Sequence, residues 1–133
     1  MAPVSASMLL KISSGLGILN FATMYLSPEV AISSYYAKEP KNTKQVCGLF
    51  QQIGLTMMSA VASNLATLAS GVISKEYMIA NGIMNFVWAG DMIRGVVSGE
   101  FAGNDVKLGS FKVFIPLNIC LGALALLAAL DKN

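Results

Sequence analysis

Of 133 residues, 12% are charged and 55% hydrophobic, whereas a water-soluble domain needs about a quarter charged to cover its surface. A net charge of +2 and the lack of a basic stripe with interleaved aromatics exclude a nucleic-acid binder. The length allows one domain, and its class follows from the uncharged runs: between Lys44 and Lys75 there is no Lys, Arg, Asp or Glu, while a membrane helix needs only roughly 20 apolar residues.

The first span is predicted over residues 8–27. It has no charged segment ahead of its apolar centre apart from Lys11, and Ser27-Pro28-Glu29 is a poor cleavage site, so it reads as a mature span and not as a signal peptide. Pro28 stops it, since proline cannot continue a helix and biases the residue before it away from helical angles. Residues 29–44 form the longest polar loop. Its amphipathic centre, 30–36, suits the membrane surface, with Tyr35 and Tyr36 at headgroup level.

The second span, 45–73, would extend about 43 Å at 1.5 Å per residue, so it must tilt or project beyond the bilayer. Ser74-Lys75-Glu76 reads as a tight polar turn, which predicts an antiparallel hairpin of the second span with the third, 77–97. A glycine-rich connection, 98–110, leads to the fourth span, 111–130, with Pro116 near its start. The expected fold is therefore all-α: a single transmembrane domain, a four-helix bundle. Lys38, Lys41, Lys44, Arg94, Lys107 and Lys112 fall on one side of it, and Lys11, Lys75 and Lys132 on the other. The long-loop side is the better candidate for the positive side of the membrane. Cys47 and Cys120 read as buried thiols acting as small apolar residues.

Three groups of residues could carry function. Asp91 and Arg94, at i, i+3, can pair on one helix face. Charge at membrane depth suggests a proton path or a binding site, but Trp88 one turn earlier marks an interfacial level where long side chains snorkel, so an interfacial ion pair is the expectation. The amides Asn20, Asn64, Asn81, Asn85 and Asn118, with Gln51 and Gln52, can bond across helices or contact polar groups of a pigment. Small residues recur every fourth position at Ser59, Ser63, Thr67 and Gly71, and again at Gly95, Gly99 and Gly103. That spacing lets helix backbones approach closely, within the bundle or against a partner chain.

No histidine is present, which removes the usual haem, zinc and iron ligand and the usual general base near neutral pH. No metal site is expected, and no phosphate-binding glycine loop, GxSxG elbow or paired-carboxylate motif is visible. An enzyme is not expected. Gly15, Gly17, Pro28, Gly48 and Gly54, a glycine-containing first span closed by proline and a second span with glycine near its start, give the first half a feature order that resembles the small four-helix DoxX-like membrane proteins. The arginine such proteins often carry before the second span is replaced here by Lys44, and the resemblance transfers no catalytic residue.

The expected function is that of a non-catalytic accessory subunit of a larger membrane complex, of photosystem or respiratory type, in a thylakoid or mitochondrial inner membrane. Its partners would be other membrane subunits and lipid, with chlorophyll, carotenoid or lipid as peripheral ligands. The alternative is a stand-alone small-solute transporter or channel, with Asp91, Arg94 and the asparagines along a polar path.

Overall fold

The structure is a computed structural model that describes residues 3–131, apart from the Ala102 side chain; Lys132, counted above for topology, lies outside that range. Ser5 begins α1 (Ala6–Phe21), its hydroxyl accepting from the Met8 amide at 3.2 Å. This satisfies one of the orphan donors of a first turn. The helix then widens into a π-helical turn, Ala22–Leu26. Pro28 opens α2 (Pro28–Tyr35), a position where its missing N–H is not needed. The long α3 (Thr43–Ser70) ends because Gly71 adopts left-handed backbone, φ 69°, and donates to the Leu68 carbonyl.

Ser74 starts α4 (Lys75–Val97) by accepting from the Tyr77 amide at 3.1 Å. The turn between α3 and α4 therefore precedes Lys75 and Glu76, which belong to the first turn of α4 and not to the loop where they were expected. A short α5 (Glu100–Gly103) and the final α6 (Phe111–Leu130) complete the chain. Pro116 deletes one bond to the Lys112 carbonyl, yet α6 runs on through it. All regular structure among the described residues is helical, and the one β-type pairing is an isolated bridge.

Three segments are long and apolar enough to cross a membrane: Ala6–Leu26, Thr43–Ser70 and Phe111–Leu130. They suggest an integral membrane protein. α4 has 23 residues, about 35 Å at 1.5 Å each, but Asn81, Asn85, Asp91 and Arg94 make it less apolar than the other three. Large apolar side chains point outward along these helices, among them Leu19, Leu26, Val87 and Val97.

Helix pairing departs from the sequence-based expectation. α3 and α4 do not pack as a hairpin. Instead α1 with its π turn lies along α3, α4 lies along α6, and a thinner α1–α6 contact joins the pairs. The reason lies in where close approach is sterically open. At the crossing of α4 and α6, a Cβ on Gly82 would stand 3.1 Å from the Gly122 carbonyl oxygen, and one on Gly122 would stand 3.1 Å from the Gly82 carbonyl oxygen. Gly17 makes room in the same way for the Val61 side chain, and Gly54 for Met24 and Tyr25 of the π turn. Asn64, Ser63 and Ser59 occupy the α3 face that a hairpin would have used, and they line a cleft.

The two pairs are tied together at both ends. At the end holding the α3–α4 turn, Leu9 and Leu10 of α1 pack with Met78 of α4 and with Ala125, Ala128 and Ala129 of α6. At the opposite end, residues 36–38 meet residues 105–107. The Ala37 amide donates to the Asp105 carbonyl at 2.7 Å and the Lys107 amide to the Tyr35 carbonyl at 2.6 Å. The Lys107 ammonium reaches the Ser33 carbonyl at 2.6 Å, and Lys38 faces Asp105 at 3.6 Å. Below this latch, Tyr35 is flanked by Phe50 of α3 and by Phe111 and Phe114 of α6, with ring centroids 5.6, 6.1 and 6.3 Å away. Tyr35 thus sits within an aromatic cluster, and burial pushes its phenol pKa up. Of the cysteines, Cys47 is half-buried, but Cys120 is exposed on the outer side of α6 and is not the buried thiol expected.

The two glycine classes should separate on substitution. Gly122→Ala is expected to destabilise by about 1–3 kcal/mol, because backbone and Phe86 both stand in the way of the new methyl. Gly90→Ala, which meets open space, should be neutral or slightly stabilising. Thermal unfolding in detergent checks this, and equal melting of the two variants would contradict the close crossing.

Candidate functional site

Between the α1–α3 pair and the α4–α6 pair lies a cleft of about 580 Å³, half open to the surroundings. That size falls within the range of roughly 300–1,000 Å³ typical of small-molecule sites. Its apolar walls include Met24, Met57, Met84, Met92 and Trp88, and its polar groups include Asn20, Asn64, Asn81, Asn85 and Asn118. On α4 the lining residues 81, 84, 85, 88, 91 and 92 recur at the three- and four-residue spacing of one helix face. Five asparagines that lie far apart in sequence are therefore brought to one cavity.

The hydrogen bonds of these amides give the cleft a definite polarity. Asn81 Nδ2 donates to the Tyr77 carbonyl at 3.2 Å, Asn85 Nδ2 to the Asn81 carbonyl at 2.8 Å, and Asn118 Nδ2 to the Phe114 carbonyl at 2.8 Å. In each case the amide nitrogen is held by its own helix one turn back, which leaves the Oδ1 of the same group as an acceptor. Ser59, Ser63 and Thr56 act alike, donating their hydroxyl protons to the carbonyls of Thr56, Ser59 and Gln52. Their oxygen lone pairs remain.

Asn64 differs. It is 95% buried, exposing only 5% of its surface, and its Oδ1 accepts from the Tyr77 hydroxyl at 2.8 Å. This bond links α3 to α4 across the cleft, where the two helices have almost no direct packing. Tyr77 was not singled out in the sequence, and its spacing of 13 residues from Asn64 gives no local signal.

The other candidate residues fall elsewhere. Gln51 Nε2 donates to the Tyr25 carbonyl at 3.4 Å, serving the π turn, while Gln52 is exposed and outside the cleft. Of the small-residue stripe, Ser59 and Ser63 face the cleft, Thr67 donates back to the Ser63 carbonyl, and Gly71 is the left-handed helix cap. Within the chain they do not form a helix-packing seam, because the backbone approaches are made by Gly17, Gly54, Gly82 and Gly122 instead. Gly95 does pack closely, under the Phe101 ring, whereas Gly99 is a left-handed turn residue with open space where a Cβ would be.

Arg94 donates from Nε to Asp91 at 3.0 Å and from Nη1 to Glu100 at 2.7 Å. All three side chains are at least half exposed, so this network contributes modestly to stability. It lies at the latch end of the cleft and ties the end of α4 to α5.

No family model matches the chain, and neither the curated proteins nor the solved structures give a match.

Tyr77→Phe removes the only hydroxyl that reaches the buried Asn64 oxygen among the described residues, and should cost about 0.6–2 kcal/mol. Adding Asn64→Leu to it should recover part of that loss, since the stranded acceptor is then gone. Unfolding of the single and double variants in detergent measures the pair, and a neutral Tyr77→Phe would show that the bond does not form.

Proposed function

We propose that the chain is a single membrane domain that crosses the bilayer four times and acts as a non-catalytic subunit of a larger membrane complex. The observation that carries the reading is the distribution of surface. The four long helices present large apolar side chains outward, while the polar side chains gather in the cleft and at the two ends. A protein in water would invert this arrangement. α4 joins the other three as a span because its two charged groups lie at its latch end, where Arg94 can reach the headgroups, and because its asparagines face the cleft.

Little of the chain remains outside the bilayer in this reading. The two latched loops are short and engaged with each other, and with no histidine in the sequence the chain lacks the usual tools for hydrolysis or metal chemistry. The outward apolar faces are then the surfaces for neighbouring subunits and lipid. We place the host among the photosystem or respiratory complexes of a thylakoid or mitochondrial inner membrane, because such assemblies are rich in small membrane subunits. The DoxX-like order of glycines and proline in the first half belongs to the same proposal.

A second reading, a stand-alone small-solute transporter or channel, is favoured by the amide-lined cleft. The mass after extraction in a mild detergent separates the two. Co-migration with a complex of hundreds of kilodaltons supports the subunit, and a discrete small oligomer supports the transporter.

The span count has its own test. With Cys47 and Cys120 changed to Ser, single cysteines at Asn42 and Asn104 should react with an impermeant thiol reagent from the same side of the membrane. A cysteine at Val72 should react from the other side. Reaction of positions 42 and 104 from opposite sides would refute four spans.

A further inference from the structure

We propose that the central cleft is a binding site for a neutral, mostly apolar lipid that carries a hydroxyl group, and that the carboxamide oxygens of Asn81, Asn85 and Asn118 accept that hydroxyl. The proposal rests on the membrane-spanning reading above. Three independent features of the cleft set the class of ligand.

The first is its polarity. Asn81, Asn85 and Asn118 each spend an N–H on their own helix and turn an oxygen toward the cavity, so the matching ligand group is a donor. The same back-bonding by Thr56, Ser59 and Ser63 adds acceptors on the opposite wall. The buried Asn64 supplies the complement. Its oxygen is taken by Tyr77, and no bond is made by its Nδ2 among the described residues, so one amide donor is left for the ligand oxygen. A hydroxyl, both donor and acceptor, satisfies the two walls together, whereas a ketone or an ether satisfies the Asn64 side alone.

The second is charge. Asp91 is the only lining Asp, Glu, Lys or Arg, and it is engaged by Arg94 at the latch end. A charged headgroup placed among the asparagines would have no counter-ion, which is costly at membrane depth. The third is the nature of the walls. Met24, Met57, Met84 and Met92 are unbranched and adaptable, and with Trp88 they suit an extended aliphatic body more than a rigid polar solute.

Trp88, the single tryptophan of the chain, lines the cleft and reports on it directly. The full chain in phosphatidylcholine nanodiscs can be titrated with geranylgeraniol and, separately, with geranylgeranyl methyl ether, which keeps the shape and loses the donor. The alcohol should give a saturable change in Trp88 emission with an affinity about five- to tenfold higher than the ether, the difference expected for one hydrogen bond. Asn85→Leu and Asn118→Leu should each bring the alcohol down toward the ether while the ether stays where it was. Equal affinities of alcohol and ether for the wild-type chain would overturn the proposal without recourse to any variant. So would an alcohol affinity insensitive to both substitutions in proteins that melt normally. An emission that never saturates would also overturn it, as when a neighbouring helix fills the cleft. The outcome is separable from the subunit reading, since a chain that migrates with a large complex yet ignores the alcohol sinks only the ligand, and a free oligomer that still discriminates sinks only the subunit.

Discussion

The pairing of α4 with α6 through the facing backbones of Gly82 and Gly122 is the contact on which the rest of the molecule depends. Glycine at both positions lets the two carbonyl ridges approach to a distance that a Cβ on either side would prevent. In a bilayer, where there is no hydrophobic drive between helices, such close van der Waals packing is the main source of association. Once α6 has claimed α4, α3 is left to α1, and the two pairs face each other across a gap that neither fills. Joining them only at the ends, through Leu10 and Met78 at one and Tyr35 at the other, turns that gap into a cleft.

Polar residues follow from this geometry. An asparagine on a lipid-facing surface would be costly, and one at a tight helix crossing would leave groups unpaired. The cleft is the place where Asn81, Asn85 and Asn118 can sit half-buried, with the amide nitrogen satisfied locally by the preceding turn. Their side chains are held in one orientation before any ligand arrives. A group that meets them forms its bonds without first ordering the site, which is the condition under which binding free energy is not lost to rearrangement.

Much of the fold can be read from the sequence, because its strongest signals are local. The uncharged runs, Pro28 and the polar connections place the four long helices to within a few residues. Gly71 and Ser74 set the ends of α3 and α4, but only the conformation of Gly71 reveals that the turn falls before Lys75. The pairing could not be read. A repeat of small residues at every fourth position, as at Ser59, Ser63 and Thr67, looks the same whether the helix meets another backbone or a cavity. The glycines that make the crossings, Gly17, Gly54, Gly82 and Gly122, stand alone in their helices and form no repeat. The asparagines are visible as a group, but their convergence is a property of the pairing, as is the Tyr77–Asn64 bond. The latch between residues 36–38 and 105–107 joins two loops that carry no mark of each other beyond the opposite charges of Lys38 and Asp105.

The π-helical turn at Ala22–Leu26 gives the chain a dependence on residue number that its composition hides. A π turn accommodates one more residue than the α-helix it interrupts, and one residue corresponds to about 100° of rotation about a helix axis. Removing a single residue between Phe21 and Pro28 would restore a regular helix and leave the apolar length adequate for a membrane. It would also swing Pro28 and all of α2 around the axis, carrying Tyr35 away from Phe50 and Phe111 and opening the latch end of the cleft. Among variants of this protein, then, substitutions in 22–26 that keep the count would be tolerated where deletions are not. The segment acts as a spacer whose length is the property under selection.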